Sequence, residues 1–359
     1  VIEFKLQHRS GGATRVQLGA GALSAVAASI PPSGGRALLA DRQVAALHAQ
    51  RLGELAEPRL ELEAGEACKS FAQLERALEF LAVQGLERGG TVLSLGGGAA
   101  LDLAGLAAAL YMRGIALVHC PTSLLAMVDA AVGGKAAINL AAGKNLAGAF
   151  HHPRAVYMDS ETLRSLPPAE LASGLGEVVK TALIAGEPLY AQLEREAPAL
   201  VRAEPAALEP VIEACVRLKA RIVASDERDL GPRQVLNLGH TFAHALEREA
   251  GYGALPHGIA VAVGLVLALE TSARMGVLRE PELAPRTAAL LERLGLPASL
   301  DALRARCACA FEPAALLAAM AHDKKARGGL RLVLPVALGE IARELAPPPG
   351  LLEALLAPR

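Results

Sequence analysis

The sequence has almost no net charge, no C-x-x-C pair, no repeat of fixed period and no apolar run long enough to span a bilayer. Each absence closes a class of function. A formal charge of −1 supplies no global field to attract nucleic acid or an anionic membrane, so an acidic ligand needs a local basic cluster. The five cysteines, Cys68, Cys120, Cys215, Cys307 and Cys309, indicate neither a disulfide framework nor a thiolate zinc site. The nearest pair, Cys307 and Cys309, reads as packing. The opening residues VIEFKLQHRS lack the basic-then-apolar order of a secretory signal. The longest apolar run, Ile259 to Leu269, falls short of the roughly 20 residues a bilayer requires and reads as a buried helix. Together these absences predict a soluble, cytoplasmic protein with no nucleic-acid or membrane partner.

What is present is a globular composition, with 52% hydrophobic and 20% charged residues. A chain of 359 residues exceeds one ordinary core and suggests two domains. Short β-rich runs at Arg36 to Ala40, Thr91 to Leu95, Ile115 to Cys120 and Ala155 to Met158 alternate with helical stretches, the pattern of an α/β layer with a parallel sheet. After Leu166-Pro167-Pro168 helical periodicity dominates to about residue 320. The expected division is therefore an α/β domain over 1–160 and a mainly helical domain over 161–359, with the boundary within Asp159 to Leu163. Two short strands are expected around Pro335 and Gly339.

Two segments carry chemistry. Thr91-Val92-Leu93-Ser94-Leu95 runs straight into Gly96-Gly97-Gly98 and then into a helical stretch through Asp102. In that arrangement bare backbone N–H groups meet a pyrophosphate at a helix N-terminus, as for a nicotinamide dinucleotide. The pattern is not G-x-G-x-x-G, because Leu101 holds the third glycine's place, and a tight turn with no ligand would look the same. Val132-Gly133-Gly134-Lys135 and Gly143-Lys144-Asn145 add two lysines beside flexible backbone.

The second segment is Asn237 to Glu247, which sets His240, His244 and Glu247 on one helix face. His257 follows, and Glu177 lies upstream on a helix that is otherwise small and apolar. A Glu/His/His triplet with open positions is a reasonable catalytic site for a divalent metal. The H-E-x-x-H pattern is absent, so a metalloprotease is not indicated. Taken singly, His257 also suits a capping or core role and Glu177 a helix-pairing carboxylate.

Beyond these two segments, the chain resembles the 3-dehydroquinate synthases along nearly its whole length. The matching blocks are GGGAALDLAG (96–105), YMRG (111–114), PTSLLAMVDAAVGGKAAIN (121–139), GKNLAG (143–148), GEVVK (176–180), DERDLGPRQVLNLGHTFAHALE (226–247), HGIAVAVG (257–264) and HDKKARGG (322–329), in family order and spacing. The resemblance implies a Rossmann-like, parallel-sheet NAD-binding domain followed by a mainly α-helical metal-binding domain, with the active site in the cleft between them. It implies conversion of the phosphorylated keto-acid sugar DAHP (3-deoxy-D-arabino-heptulosonate 7-phosphate) to 3-dehydroquinate and phosphate, the second step of the shikimate pathway. NAD would take hydride at carbon 5, phosphate would be eliminated, the hydride returned, and the opened ring closed by an aldol step, with no net redox change.

Carried over by that resemblance, the ligands of a zinc or cobalt ion are Glu177, His240 and His257, and His244 moves from the metal to the substrate phosphate. NAD contacts fall on Asp41, Glu66, Lys69, Gly97, Gly98, Asp102, Thr122, Ser123 and Lys144. Substrate contacts fall on Asp129, Lys135, Asn145, Lys180, Lys219, Arg233, Asn237, His244 and a lysine of Asp323-Lys324-Lys325, with Lys325 favoured. Arg113 matches an arginine that reaches the other subunit's site, which implies a homodimer. Ser123 replaces a usual threonine, Ala136-Ala137 a Thr-Gly, Met127 a glutamine and Gly176 an alanine. Asp229 stands where a glutamate is credited with proton transfer, one methylene shorter. The alternatives are another sugar-phosphate cyclase, a metal-dependent alcohol or glycerol dehydrogenase, and a catalytically silent NAD- or metal-binding regulator. Arg233 with Lys144 and Lys219 favours an acid substrate among these.

Overall fold

The first strands are short, and most of their inward residues are branched aliphatics or alanines. They are β1 (Ile2–Gln7), β2 (Ala13–Leu18), β3 (Arg36–Asp41), β4 (Arg59–Leu62), β5 (Thr91–Gly96), β6 (Ala116–Pro121), β7 (Lys135–Leu140), β8 (Gly143–Phe150) and β9 (Ala155–Met158). The computed structural model describes residues 1–31, 33–251, 253–322 and 329–358, apart from the His322 side chain, so Lys324 and Lys325 lie outside the described residues. Contacts divide the chain into unit 1, Val1–Pro167 with Leu208–Arg228, and unit 2, Pro168–Ala207 with Asp229–Arg359. The sequence division at 160/161 falls just before the first of these breaks.

Unit 1 is built on a seven-stranded sheet in the order β1-β2-β9-β6-β5-β3-β4. Only β1 and β2 pair antiparallel; the remaining neighbours are parallel. A parallel sheet is covered on both faces, which is why every residue of β5 is buried. Successive side chains leave a strand on opposite faces, and Leu38 and Leu39 enter two separate apolar layers. Leu39, Leu62, Leu74, Leu103 and Leu117 meet in one layer, and Leu38, Leu93, Leu95, Val118 and Tyr157 in the other. Each such leucine contributes about 1.5–3 kcal/mol on burial. Helices α1 (Arg42–His48), α2 (Phe71–Val83) and α3 (Gly98–Leu110) follow β3, β4 and β5. Asp41 caps α1 by accepting from the Gln43 and Val44 amides, and Ser70 caps α2 through the Gln73 amide.

Two features of unit 1 lay outside the sequence reading. The pair β1–β2 is an edge ribbon whose burial alternates residue by residue. The lysine-bearing stretch from Lys135 to Phe150 is an antiparallel hairpin, β7 with β8, and not a pair of loose turns.

Unit 2 holds α4 (Pro168–Ala185), α5 (Glu187–Val201), the start of α6 (Pro205–Ser225), α7 (His240–Ala250) and α8 (His257–Arg274). The expected late strands form a hairpin of β10 (Leu332–Ala337) and β11 (Glu340–Leu345). Helix α8 is long and apolar enough in composition to cross a bilayer, but most of it is buried against α4, α7 and β10. The parallel-sheet unit followed by a helical one is the fold class expected.

One buried group of unit 1 sets a pH dependence. His119 on β6 lies opposite Ser94 on β5, and its Nδ1 is 2.7 Å from the Ser94 hydroxyl. Burial first, then the neighbouring His151, pushes the imidazole down to about 3. Between that value and the ordinary 6.5 the unfolded chain binds a proton that the folded chain refuses, so stability falls as pH drops through this window. The variant His119→Asn, which keeps a polar atom near Nδ1, should flatten the loss of denaturant midpoint between pH 6.5 and 4; an unchanged slope would assign the acid sensitivity elsewhere.

Candidate active site

The metal candidates of unit 2 come together because the middle of α4 and the start of α7 are drawn into backbone contact with α8. Gly176 on α4 faces Gly258 on α8 so closely that a Cβ on Gly176 would lie 2.1 Å from the Gly258 carbonyl oxygen. Gly264 on α8 meets Gly239, the N-cap of α7, where an added Cβ would lie 2.3 Å from the Gly239 oxygen. The alanine expected at 176 from the family pattern would not fit this crossing. These contacts place Glu177 beside the first residues of α7 and α8, which are His240 and His257.

Glu177 is buried, and neither of its carboxylate oxygens accepts an aligned hydrogen bond. Its Oε1 lies 3.7 Å from His240 Nε2 and 3.4 Å from His257 Nε2. The opposite nitrogens are held in place: His240 Nδ1 lies 3.2 Å from the Leu238 carbonyl and His257 Nδ1 lies 3.2 Å from Glu247 Oε2. Two imidazoles with Nδ1 engaged and Nε2 turned on an unsatisfied carboxylate fit a divalent ion of the zinc type. Lys180 also forms an ion pair with the Glu177 carboxylate.

The electrostatics divide the two histidines. Burial, reinforced by the Lys180 charge, pushes His240 down to about 3 and keeps it neutral. Burial also opposes a proton on His257, but Glu177 and Glu247 outweigh it and raise that imidazole to about 10. Glu177 itself is held well below the usual carboxylate range: burial works against its charge, and Lys180, His257 and His240 overcome that. Glu247 is the residue that sequence reasoning placed on the face of α7 without giving it a task. The one-face spacing from His240 was its only signal.

Beside these groups unit 2 has a cavity of about 220 Å³, lined in part by Asp229, Asn237, His240, Thr241, His244 and Arg331. His244, one turn after His240 on α7, packs edge-on to it at 5.5 Å between ring centres. Asn237 and the buried Arg233 come from the short 3₁₀ turn Pro232–Asn237 that precedes α7. Of the residues expected to touch substrate, unit 2 thus gathers Asp229, Asn237 and His244 on one cavity. Lys180 and Arg233 are buried in the same unit.

In unit 1 the cofactor candidates lie at the carboxyl ends of the parallel strands. Asp41 ends β3, Glu66 and Lys69 follow β4, Gly97 and Gly98 open α3 after β5, and Thr122 and Ser123 follow β6. Strand order reverses between β3 and β5, the place where open α/β sheets bind ligands. Gly97 caps α3 with no side-chain acceptor, leaving first-turn amides for an anion. Lys69 Nζ donates to Asp102 Oδ2 at 2.5 Å and also bonds Asn145, while Asn139 Nδ2 donates to Glu66 Oε1 at 2.7 Å. Burial raises Asp102 to about 6 against the pull of the Lys69 charge. Lys144 sits beside Asn145 on β8, and Lys135 is exposed at the start of β7. Asp129 lies on a single π-helical turn, Ala126–Ala130, and accepts from Lys219 Nζ at 2.5 Å.

A parallel-sheet unit with a glycine-opened helix, followed by a helical unit with a buried Glu/His/His set, is the architecture of the NAD- and metal-dependent sugar-phosphate cyclases. The 2-deoxy-scyllo-inosose synthase structure complexed with carbaglucose-6-phosphate, NAD+ and Co2+ is 27% identical, with a TM-score of 0.87 over 99% of each chain. The 2-epi-5-epi-valiolone synthase of Streptomyces hygroscopicus, with NAD+ and Zn2+ bound, is also 27% identical, with a TM-score of 0.83 over 95% of this chain and 94% of that one. A probable glycerol dehydrogenase from Sinorhizobium meliloti, at 19% identity and a TM-score of 0.66, shares the fold alone.

The sequence matches narrow the class. Residues 59–173 match the 3-dehydroquinate synthase N-terminal model and residues 174–326 the C-terminal one. The 3-dehydroquinate synthase of Rhodospirillum rubrum is 48% identical over 81% of this chain and 77% of its own, and that of Paracoccus denitrificans 44% identical over 89% and 88%. The chain belongs to the 3-dehydroquinate synthase family.

Glu247 provides the test of the metal geometry. The variant Glu247→Gln keeps the shape but loses the charge that orients His257, and zinc affinity should drop about 10- to 100-fold by competition with a chromophoric chelator. Unaltered affinity with an unaltered circular dichroism spectrum would remove Glu247 from the site.

Proposed function

We propose that the chain is a 3-dehydroquinate synthase, converting DAHP to 3-dehydroquinate and phosphate with NAD and one divalent ion. The observation that carries the reading is the convergence of two imidazole Nε2 atoms on the buried Glu177 carboxylate, in a chain 44–48% identical to synthases of that name. A divalent ion at Glu177, His240 and His257 would polarise the substrate oxygen at carbon 5, and NAD at the Gly97–Gly98 end of the sheet would accept and return hydride.

The remaining work belongs to the chain's own side chains. Arg233, buried and permanently charged, suits the substrate carboxylate, where a forked guanidinium makes two parallel hydrogen bonds. Asn237 and His244 supply an amide and an imidazole for the phosphate from one cavity wall. Lys219, held against Asp129, keeps an ammonium fixed in place, so it loses little entropy when an anion arrives. Lys135, Lys144, Lys180 and Asn145 complete the substrate and cofactor contacts, with Lys325 as a phosphate contact and Asp229 in proton transfer. Each of these cations would offset part of the charge of a polyanionic substrate, which the net charge of the protein does not do. NAD and a phosphorylated intermediate are cytoplasmic metabolites, and the reading places the enzyme with them.

The assay is phosphate release from DAHP by metal-stripped protein after zinc or cobalt is restored. Release is expected with wild type and is lost in His257→Ala, without lasting NADH accumulation. Release from glucose 6-phosphate in place of DAHP would select another cyclase, and net NADH formation would select a dehydrogenase.

The homodimer is part of the same proposal. Leu110, Met112, Leu140, Leu146 and Phe150 are large apolar residues exposed on α3, the turn after it and the β7–β8 hairpin, elements that contact one another. Arg113 stands exposed among them, at the positive φ of 70°. By light scattering the wild type should be a dimer and Leu146→Asp shifted toward monomer. Mixed Arg113→Ala and His257→Ala subunits, each inactive alone, should recover about a quarter of the activity if the arginine serves the partner's site. No recovery would confine Arg113 to its own subunit.

A further inference from the structure

A second set of metal-ligand side chains lies in unit 1 and shares no residue with the Glu177 group. His8 follows β1, His152 lies between β8 and β9, and Glu227 follows α6; these segments are far apart in sequence. We infer that His8, His152 and Glu227 form a second site for a divalent transition ion of the zinc or cobalt class. The inference does not rest on the reaction proposed above.

One donor atom from each of the three residues lies within 4.8 Å of the others. Ligand atoms around a tetrahedral zinc with bonds of about 2.1 Å are roughly 3.4 Å apart, so small side-chain rotations close the site. The two imidazoles stack at 3.8 Å between ring centres and 23° between planes, which holds them side by side. His152 Nε2 already lies 2.7 Å from Glu227 Oε1, and His152 Nδ1 is buried with no hydrogen-bond partner.

The tautomer of His8 is set by its neighbour. The Thr14 hydroxyl donates to the Pro153 carbonyl at 2.5 Å, so its oxygen accepts from His8 Nε2–H at 2.9 Å. That proton on Nε2 leaves the Nδ1 lone pair for an ion, the outer hydrogen bond that orients metal-bound histidines. Ser10 Oγ donates to Glu227 Oε1 at 2.8 Å and steadies the carboxylate in the same manner. A cavity of about 10 Å³, the space of one water or small ion, opens beside the rings against Thr14, Val132, Gly133 and Val223. Two imidazoles and one carboxylate are intermediate donors, which select zinc or cobalt over calcium or magnesium.

The place of the cluster gives it a consequence. A Cβ on Gly134 would lie 2.9 Å from the His152 ring, so the ring packs directly behind the Gly133-Gly134-Lys135 turn. An ion there would pin the backbone that carries Lys135.

The test titrates zinc into metal-stripped full-length protein by calorimetry, with bound zinc counted by elemental analysis after desalting. Wild type should take up a second equivalent of zinc beyond the ion at Glu177. His152→Gln should lose one equivalent and keep the other, and His257→Ala should keep the equivalent that His152→Gln loses. His8→Gln, half-buried in the loop after β1, repeats the first comparison should His152→Gln fold poorly. Saturation of wild type at a single equivalent, or equal uptake by wild type and both glutamine variants, overturns the site.

Discussion

Two places where helix backbones touch without intervening side chains govern this molecule's chemistry. Gly176 against Gly258 and Gly239 against Gly264 allow α4 and α7 to approach α8 at distances that a single methyl group would forbid. The middle of α4 and the first residues of α7 and α8 therefore carry Glu177, His240 and His257 to one point. A buried carboxylate with unsatisfied oxygens is costly in an apolar interior, and the protein tolerates it because two imidazoles and an ammonium surround it. Close packing of small residues creates the site, and charge makes it tolerable.

Unit 1 reaches its function by a different route. Its sheet is a layered, mainly apolar core, with Ser94 and His119 paired inside it, and the cofactor candidates lie at strand ends, where the chain must turn. Asp41 ends β3, Glu66 and Lys69 lie in the segment after β4, and Gly97, Thr122 and Ser123 come directly after β5 and β6. Lys69 is the tie among them, bonding Asp102 of α3 and Asn145 of the β7–β8 hairpin. A loop–hairpin contact of that sort keeps a dinucleotide end rigid where loops alone would be mobile.

Much of this was legible in the chain. The runs Thr91 to Leu95 and Ala155 to Met158 are strands because uninterrupted β-formers bounded by turns have few other uses in a two-faced sheet. Gly96-Gly97-Gly98 announced a strand-to-helix turn, and the spacing of His240 and His244 announced one helix face. The β7–β8 hairpin was not legible, because its alternation is diluted by alanine and glycine; the β1–β2 ribbon was missed although IEFKLQ alternates cleanly, since one short run does not say which strand it pairs with. Glu247 stood on the correct face, yet its partner His257 lies across a loop, and only packing brings the two within hydrogen-bond range.

By itself the sequence determined that the chain is a two-part α/β and helical protein whose near-zero net charge supplies no global field for a polyanion. Its ordered blocks, too, determined the family, since block order survives in the linear chain. Tertiary structure turns the Nε2 atoms of His240 and His257 toward Glu177, a choice that helix periodicity left open and the family resemblance implied. It alone brought His8, His152 and Glu227 together. Periodicity specifies which face a residue occupies, whereas the distance between two faces depends on how closely their backbones pack. In this protein that distance is set by glycines whose partners lie far away in the chain.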